Sequence, residues 1–261
     1  MALAALLIGT AGCSANLAGA PQPAPGAGSS TAGTPPRPVR VLPAGGADEM
    51  ICHLPQPFLT IWCDAPQVVV RDIPDGAAIL LRQGDPIRVR GKETDRVCTV
   101  SLFARTPSGR EWAITGDQCA ETVGQSVYTF GGYRIGTVGA FLAPPAASSE
   151  PSFRMPAIRL DSRLLIQSTV TGSAAASERL VVRVDGGNVQ SEREVYDGGR
   201  KLGGTLRSTF PMPQAGDRGA PAIADDRLVG VLRSAGDVTP ASAVIQSLPG
   251  LDPTATLVVV R

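Results

Sequence analysis

The sequence predicts an all-β protein, and three observations support this fold class. Short runs of β-branched and apolar residues recur along the chain, at 68–70, 87–89, 97–103, 112–115, 135–138, 163–166, 180–184, 228–232 and 256–260. Glycine and proline are frequent, with 30 and 23 residues, and turn signals separate the runs. Helical periodicity is limited to 240–248, where Pro240 suits a first helical turn and Pro249-Gly250 ends the segment. This pattern is typical of a β-sandwich or a β-barrel.

The composition fits one two-lobed globular domain with appendages. Of the 261 residues, 43% are hydrophobic, which is enough for a core, and no apolar run is long enough for a spanning helix. The net charge is +1, so nothing favours a nucleic-acid partner. Only two of the 24 basic residues are lysines (Lys92 and Lys201), a bias typical of GC-rich bacterial genomes such as those of actinobacteria.

The first 46 residues are expected to lie outside the folded domain. An apolar stretch at 2–8 leads into Gly-Thr-Ala-Gly-Cys, which resembles a bacterial lipobox whose cysteine is lipidated and becomes the mature N-terminus. We therefore expect a signal peptide at 1–12 and a lipid anchor on Cys13. The alternative is an ordinary secretory signal with an incidental cysteine. Residues 13–46 are rich in Ala, Gly, Pro, Ser and Thr, so they predict a disordered tether between a membrane and the domain.

Four further cysteines remain after Cys13, and an even number in an exported chain indicates disulfides. The expected pairs are Cys52–Cys63, which closes a short local loop, and Cys98–Cys119, which closes a longer one. A metal site is a poor rival, because the only histidine is His53 and the cysteines lack the close spacing of zinc sites. We expect neither a metal nor a cofactor.

Two short motifs resemble the signatures of trypsin-like (chymotrypsin-fold) serine proteases. Residues 216–221 read Gly-Asp-Arg-Gly-Ala-Pro, where that family has Gly-Asp-Ser-Gly-Gly-Pro. Residues 115–119 read Thr-Gly-Asp-Gln-Cys, where the family has Thr-Ala-Gly-His-Cys. Cys98 opens a strand 21 residues before Cys119, as in the bacterial branch, where a disulfide fixes the histidine loop. The alternative is an unrelated β domain with two chance turn motifs.

The resemblance implies a fold of two six-stranded antiparallel β-barrels with a short C-terminal helix, over residues 84–261. Residues 47–83 are then an N-terminal extension. Asp161 precedes an apolar strand, as the catalytic aspartate does in the family, and is the candidate for that position. Gly216 and Asp217 fall at the oxyanion-loop positions, and Ala220 replaces the second glycine of the motif.

The same resemblance implies that the catalytic chemistry is lost. Gln118 stands at the histidine position, and its amide cannot exchange protons as a base near neutral pH. Arg218 stands at the serine position, and its charged guanidinium cannot act as a nucleophile. His53 precedes the first matched strand and is better interpreted as part of the Cys52–Cys63 loop than as a relocated base. Loss of even one member of such a triad lowers the rate by several orders of magnitude.

Two interpretations of Arg218 remain open. In the first, its guanidinium fills the space of the missing histidine and pairs with Asp161 or Asp117, with Gln118 alongside. In the second, Arg218 has drifted at an exposed turn where any solvated residue is tolerated.

The sequence thus predicts an inactive trypsin-like domain, a pseudoprotease, that is exported and anchored at the outer face of the cell membrane. We expect it to bind a protein or peptide partner at the cell envelope, since a cleft shaped for extended peptides can still pair with a strand. The alternatives are an active hydrolase with a non-standard site and a structural envelope lipoprotein whose cleft has no function.

Overall fold

A computed structural model describes residues 64–145, 152–175, 218–233 and 238–260 with their side chains. It describes the backbone alone at 37–39, 51–53, 62–63, 179–186, 189–197, 206–208 and 237. The predicted signal peptide, the predicted lipidation site Cys13 and most of the predicted tether lie outside these residues.

The described chain is almost entirely β structure, with one short helix near its end. The helix, α1, spans Ala241–Ser247 and continues into a 3₁₀ turn at Leu248–Gly250. In chain order the strands are β1 (Arg37–Val39), β2 (Ile51–His53), β3 (Trp62–Pro66), β4 (Ala77–Arg82), β5 (Pro86–Arg90), β6 (Thr94–Arg105), β7 (Glu111–Thr115), β8 (Ser126–Thr129), β9 (Arg134–Leu142), β10 (Met155–Leu160), β11 (Leu164–Gln167), β12 (Gly172–Ser173), β13 (Arg179–Gly186), β14 (Val189–Asp197), β15 (Leu206–Ser208), β16 (Pro221–Ala224), β17 (Arg227–Leu232), β18 (Asp237–Pro240) and β19 (Thr256–Leu257).

Six antiparallel strands close the first barrel. Their order is β6-β5-β8-β9-β10-β7, and pairing of β7 with β6 completes the ring. The inward-facing side chains are large and fully buried, and they include Ile87, Phe103, Ile135 and Ile158. Closure of the ring leaves no free strand edge among these six strands.

A second ring of six strands forms the second barrel. Its order is β17-β16-β13-β14-β15-β18, with β18 paired back to β17, and the short β12 adds to β17 in parallel. Asp225 and Asp226 join β16 to β17 with positive φ values of 48° and 56°, the geometry of a tight hairpin turn. The predicted fold of two six-stranded antiparallel barrels with a short C-terminal helix is confirmed.

An apolar cluster joins the two barrels and the helix. Leu102, Trp112 and Met155 of the first barrel pack in one cluster with Leu228 of the second barrel and Val244 of α1. Burial of this surface removes large aliphatic and aromatic groups from water and fixes the two barrels against each other.

The N-terminal extension pairs with the first barrel. β2 and β3 form a hairpin whose second strand lies along β6, and β4 lies between β1 and β11 in a separate parallel sheet. The predicted strand at 68–70 is wrong: this stretch has no regular secondary structure, and Val69 is 78% exposed. Conversely, 37–39 form β1 although the composition of the tether predicts disorder there, with Pro38 tolerated because β1 is an edge strand.

The structure describes the side chains of one predicted disulfide and only the backbone of the other. Cys98 and Cys119 are bonded, with Cα atoms 6.1 Å apart, so this prediction is confirmed. Cys52 and Cys63 lie directly opposite each other in the antiparallel register of β2 and β3, which is a spacing that a disulfide can bridge. Their side chains and that of His53 lie outside the described residues, so this pair stays a prediction.

Candidate functional site

The turn that follows β7 presents Gln118. The N–H of Cys119 donates to the carbonyl of Gly116 at 3.3 Å, which closes a four-residue turn. Gln118 has a φ of 64°, a left-handed conformation that a residue with a side chain seldom adopts. Its carbonyl accepts a hydrogen bond from Nη1 of Arg96 at 2.8 Å, and the buried disulfide holds the next residue. The turn is thus fixed on both sides of Gln118.

The turn that precedes β16 carries Arg218 and is hydrogen-bonded to both barrels. The carbonyl of Arg218 accepts from the N–H of Thr99 at 2.9 Å, and the carbonyl of Gly219 accepts from Oγ of Ser101 at 2.5 Å. On the other side, the N–H of Gly219 donates to the carbonyl of Leu232 at 3.0 Å. Hydrogen bonds to β6 and to β17 therefore hold this turn between the barrels.

The two turns touch through their glycines. A Cβ atom on Gly116 would lie 2.5 Å from the backbone nitrogen of Gly219, and one on Gly219 would lie 2.4 Å from the nitrogen of Gly116. Gly219 also has a φ of +84°, so it needs glycine for its conformation as well as for the close approach. The two motifs, which lie about a hundred residues apart in the chain, meet at the junction of the barrels.

Gln118 and Arg218 line one pocket of about 440 Å³. Among the described residues, the lining is Arg96, Asp117, Gln118, Ala120, Glu121, Arg154 and Arg218. None of these seven described residues carries a hydroxyl, a thiol or an imidazole. These side chains offer charge and hydrogen bonding, and the two carboxylates among them belong to Asp117 and Glu121.

Asp161 does not reach this pocket. In the antiparallel register of β7 and β10, Arg159 lies opposite Trp112 and Ala157 opposite Ile114. Asp161 therefore lies beside the start of β7, whereas Gln118 follows its end, roughly 13 Å away along the strand. There its carboxylate lies 3.8 Å from Nε of Arg134, and both side chains are substantially exposed.

This register brings Arg154, which directly precedes β10, to the pocket, and no sequence motif predicts it. Arg154 lies at the end of β10 nearest Gln118. Both of its terminal nitrogens donate to the carbonyl of Glu121 at 3.2 Å, and its guanidinium stacks 3.4 Å from the ring centroid of Phe141. Its position depends on how the chain returns into β10, which no local motif specifies.

Arg218 is buried, with 5% of its surface exposed. Burial and then the like charge of Arg96 lower the pKa of its guanidinium to about 10, against the opposite effects of Asp117 and Asp64. Drift at an exposed turn is therefore the wrong interpretation of Arg218. Of the two carboxylates considered as its partner, Asp117 influences its charge and Asp161 lies elsewhere.

Asp117 forms an ion pair with Arg233. One of its carboxylate oxygens lies 2.9 Å from Nη2 of Arg233, and the two side chains are only 14% and 21% exposed. The same nitrogen of Arg233 donates to the carbonyl of Ser152 at 3.2 Å. This ion pair joins the Gln118 turn to the end of β17, and it occupies the carboxylate that would otherwise neutralise the arginines of the pocket.

Of the remaining predicted site residues, Ala220 is described by the structure, and Gly216 and Asp217 are not. Ala220 is fully buried and is not among the described residues with positive φ, so its methyl group fits where the family motif has glycine. Gly216 and Asp217, the predicted oxyanion-loop positions, lie outside the described residues. Within the described residues, no cluster of three or more potential ligands that could hold a metal ion is present, and no helix is long and apolar enough to cross a membrane.

Solved structures with the same fold are bacterial serine proteases. Protease A from Thermobifida fusca aligns with a TM-score of 0.50 and 19% identity, over 69% of this chain and 100% of that one. A Nocardiopsis protease aligns with a TM-score of 0.47 and 19% identity, over 68% of this chain and 98% of the other. No protein-family model and no curated protein sequence matches the chain. At such identity the likeness concerns the fold, which is the chymotrypsin-like double β-barrel.

Proposed function

We propose that this protein is a pseudoprotease: a chymotrypsin-fold domain without hydrolytic activity that binds a peptide or protein partner at the bacterial cell envelope. The observation that carries the proposal is the pair Gln118 and Arg218, which line one pocket at the barrel junction from the positions that the motifs assign to histidine and serine. A buried guanidinium at the nucleophile position cannot attack a carbonyl, and an amide cannot activate a water in its place.

A third change supports the loss of activity. The end of β10 nearest Gln118 supplies Arg154 to the pocket, where the mechanism requires a carboxylate to orient the base. The carboxylates in the lining are Asp117, which is held by Arg233, and Glu121, which is 67% exposed. With base, nucleophile and orienting acid all replaced, one compensating substitution is not enough to restore hydrolysis.

A role in binding is supported by the continuity of the surface around the pocket. A second pocket of about 510 Å³ adjoins the first and shares Arg96, Ala120 and Glu121 with it. The two adjoining pockets offer a surface along which an extended peptide can lie. An extended segment lying along this surface would cover both motif turns.

The placement at the envelope rests on the N-terminal sequence. Lipid on Cys13 would anchor the chain stably, since two or more acyl chains give lasting membrane attachment where one does not. A flexible tract as long as 14–36, the part of the tether before β1, would span roughly 25 Å and hold the domain clear of the membrane surface. Phase partition in a non-ionic detergent tests this: the native protein should enter the detergent phase and the Cys13→Ala variant the aqueous phase, whereas equal partition of both would refute the anchor.

The pseudoprotease proposal is tested by long incubation of the folded protein with unfolded casein and with a mixed synthetic peptide library. We expect the peptide masses to stay unchanged over days, while a subset of peptides is retained on the immobilised protein. Cleavage that disappears in the Arg154→Gln or Gln118→Ala variant would assign the pocket to an active hydrolase instead. Absence of both cleavage and retention would favour a structural lipoprotein whose cleft has no function.

A further inference from the structure

We propose that the three arginines of the pocket, Arg96, Arg154 and Arg218, bind a carboxylate group carried by an acidic peptide segment. This inference rests on the proposed peptide-binding function and names the chemistry that the same surface recognises. We refer to these three residues as the arginine pocket.

The charge of the pocket is unbalanced among the described residues. Its lining holds three guanidinium groups and two carboxylates. Asp117 belongs to an ion pair with Arg233, which lies outside the lining, at 2.9 Å. Glu121 is largely exposed and lies 3.4 Å from Arg96, and Asp64, which is outside the lining, lies 3.7 Å from Nε of Arg96. With Arg233 and Asp64 included, four guanidinium groups face three carboxylates, a net charge of +1. Positive charge therefore predominates in a concave site, where the surrounding protein strengthens its effect on an incoming anion.

Among the described residues, the groups that hold Arg154 in place are neutral. Its described contacts are the carbonyl of Glu121, 3.2 Å from both terminal nitrogens, and the face of Phe141. The side chain as a whole is exposed. A guanidinium fixed in this way presents its remaining N–H groups without the loss of side-chain freedom that a mobile arginine undergoes on binding.

Arg218 and Arg96 form the inner wall. Arg218 is buried, and its pKa is lowered first by that burial and then by Arg96, so an anion close to both would restore favourable conditions for its charge. Arg96 is itself held in position by the carbonyl of Gln118 at 2.8 Å. One motif turn carries Arg218 and the carbonyl of Gln118 in the other holds Arg96, so both cationic groups line the pocket beside the motif positions.

A singly charged carboxylate fits this arrangement better than a doubly charged phosphate. Its planar pair of oxygens matches the guanidinium fork. The three guanidinium groups and two carboxylates of the lining sum to a net charge of +1, which a monoanion neutralises, whereas a dianion would leave an excess of negative charge beside Glu121 and Asp117. A peptide can supply this group from an aspartate or glutamate side chain or from its C-terminus.

Titration calorimetry on the intact protein with four short peptides tests the proposal and separates the two sources. The peptides are acetyl-Ala-Ala-Pro-Glu and acetyl-Ala-Ala-Pro-Gln, each with a free C-terminus and with a C-terminal amide. We expect the peptide with neither carboxylate to bind at least about tenfold more weakly than the tightest acid, because hydrogen bonds to charged groups are the stronger class. Tight binding of the glutamate amide identifies the side chain as the source, and tight binding of the glutamine acid identifies the C-terminus.

Two variants of exposed arginines provide the matched control. Arg154→Gln should remove most of the preference for the acidic peptide, whereas Arg134→Gln, which alters an exposed arginine next to Asp161, should leave it unchanged. Raising the salt concentration should weaken the acidic peptides and spare the neutral one.

Three results would overturn the carboxylate assignment: equal affinity for all four peptides, equal behaviour of the two variants, or tighter binding of a phosphoserine peptide of the same length. Equal affinity with measurable binding would leave the proposed function intact and refute this inference alone. Absence of binding to every member of the wider peptide library would refute the proposed function as well.

Discussion

Substitution of Gly219 by alanine tests the contact between the two motif turns. A Cβ atom there would lie 2.4 Å from the nitrogen of Gly116, and the residue would have to keep a φ of +84°. The left-handed conformation costs an alanine about 1 kcal/mol, and forcing a methyl group against fixed backbone atoms adds about 2 kcal/mol. We therefore expect Gly219→Ala to lower the free energy of unfolding by about 3 kcal/mol.

Gly109→Ala is the matched control. Gly109 has a similar φ of +79°, but nothing lies within 4 Å of the position of its Cβ, so this variant bears the conformational cost alone, about 1 kcal/mol. For a domain of this size the two losses correspond to decreases in Tm of about 6–12 °C and 2–4 °C. Thermal and urea unfolding followed by circular dichroism measures both. Equal losses would show that the two turns are not in contact and would refute the geometry of the site.

Three further predictions concern the same region. Cys119→Ser should destabilise the protein by about 3 kcal/mol in urea unfolding, the entropy of a loop closed over 21 residues, and Cys98→Ser, which removes the same disulfide, should match it; a loss below 1 kcal/mol would contradict this. Asp117→Asn should cost about 2 kcal/mol because it leaves a largely buried arginine without its carboxylate, whereas Asp161→Asn, at an exposed pair, should cost about 0.5 kcal/mol or less; equal losses would argue against the ion pair at the junction. Burial lowers the pKa of Arg218 to about 10, which means that the charged guanidinium lowers the free energy of unfolding. This destabilisation is complete at neutral pH and declines only as the pH rises through about 10. Arg218→Gln, which removes the charge, should thus be more stable at pH 7 than Arg218→Lys, which keeps it, by about 2 kcal/mol; the reverse order would mean that local carboxylates outweigh burial.

The sequence predicts the fold best where the signal is local. The runs at 97–103 and 112–115 lie within β6 and β7, and Cys98 and Cys119 are bonded as expected. The run at 68–70 has the same β-branched composition but no partner strand, so its propensity alone does not produce a strand. A strand needs a neighbour, and composition does not supply that information.

The candidate site is predictable only in part for the same reason. Gln118 and Arg218 lie within short motifs, and their meeting follows once the two barrels pack. Asp161 has the expected local context, a carboxylate before an apolar strand, but the β7–β10 register places it at the wrong end of β7 to meet Gln118. That register brings Arg154 to the pocket instead, and nothing in the residues around Arg154 indicates it beforehand.

The proposed loss of catalysis is tested most directly by a fluorophosphonate probe, which reacts covalently with an activated serine. The folded, full-length protein is incubated with the probe beside an active serine protease, and both are measured by intact-mass spectrometry. We expect the mass of this protein to stay unchanged while the active protease gains one equivalent of probe. One equivalent of probe on a single serine of this protein, lost when the protein is unfolded beforehand, would contradict it.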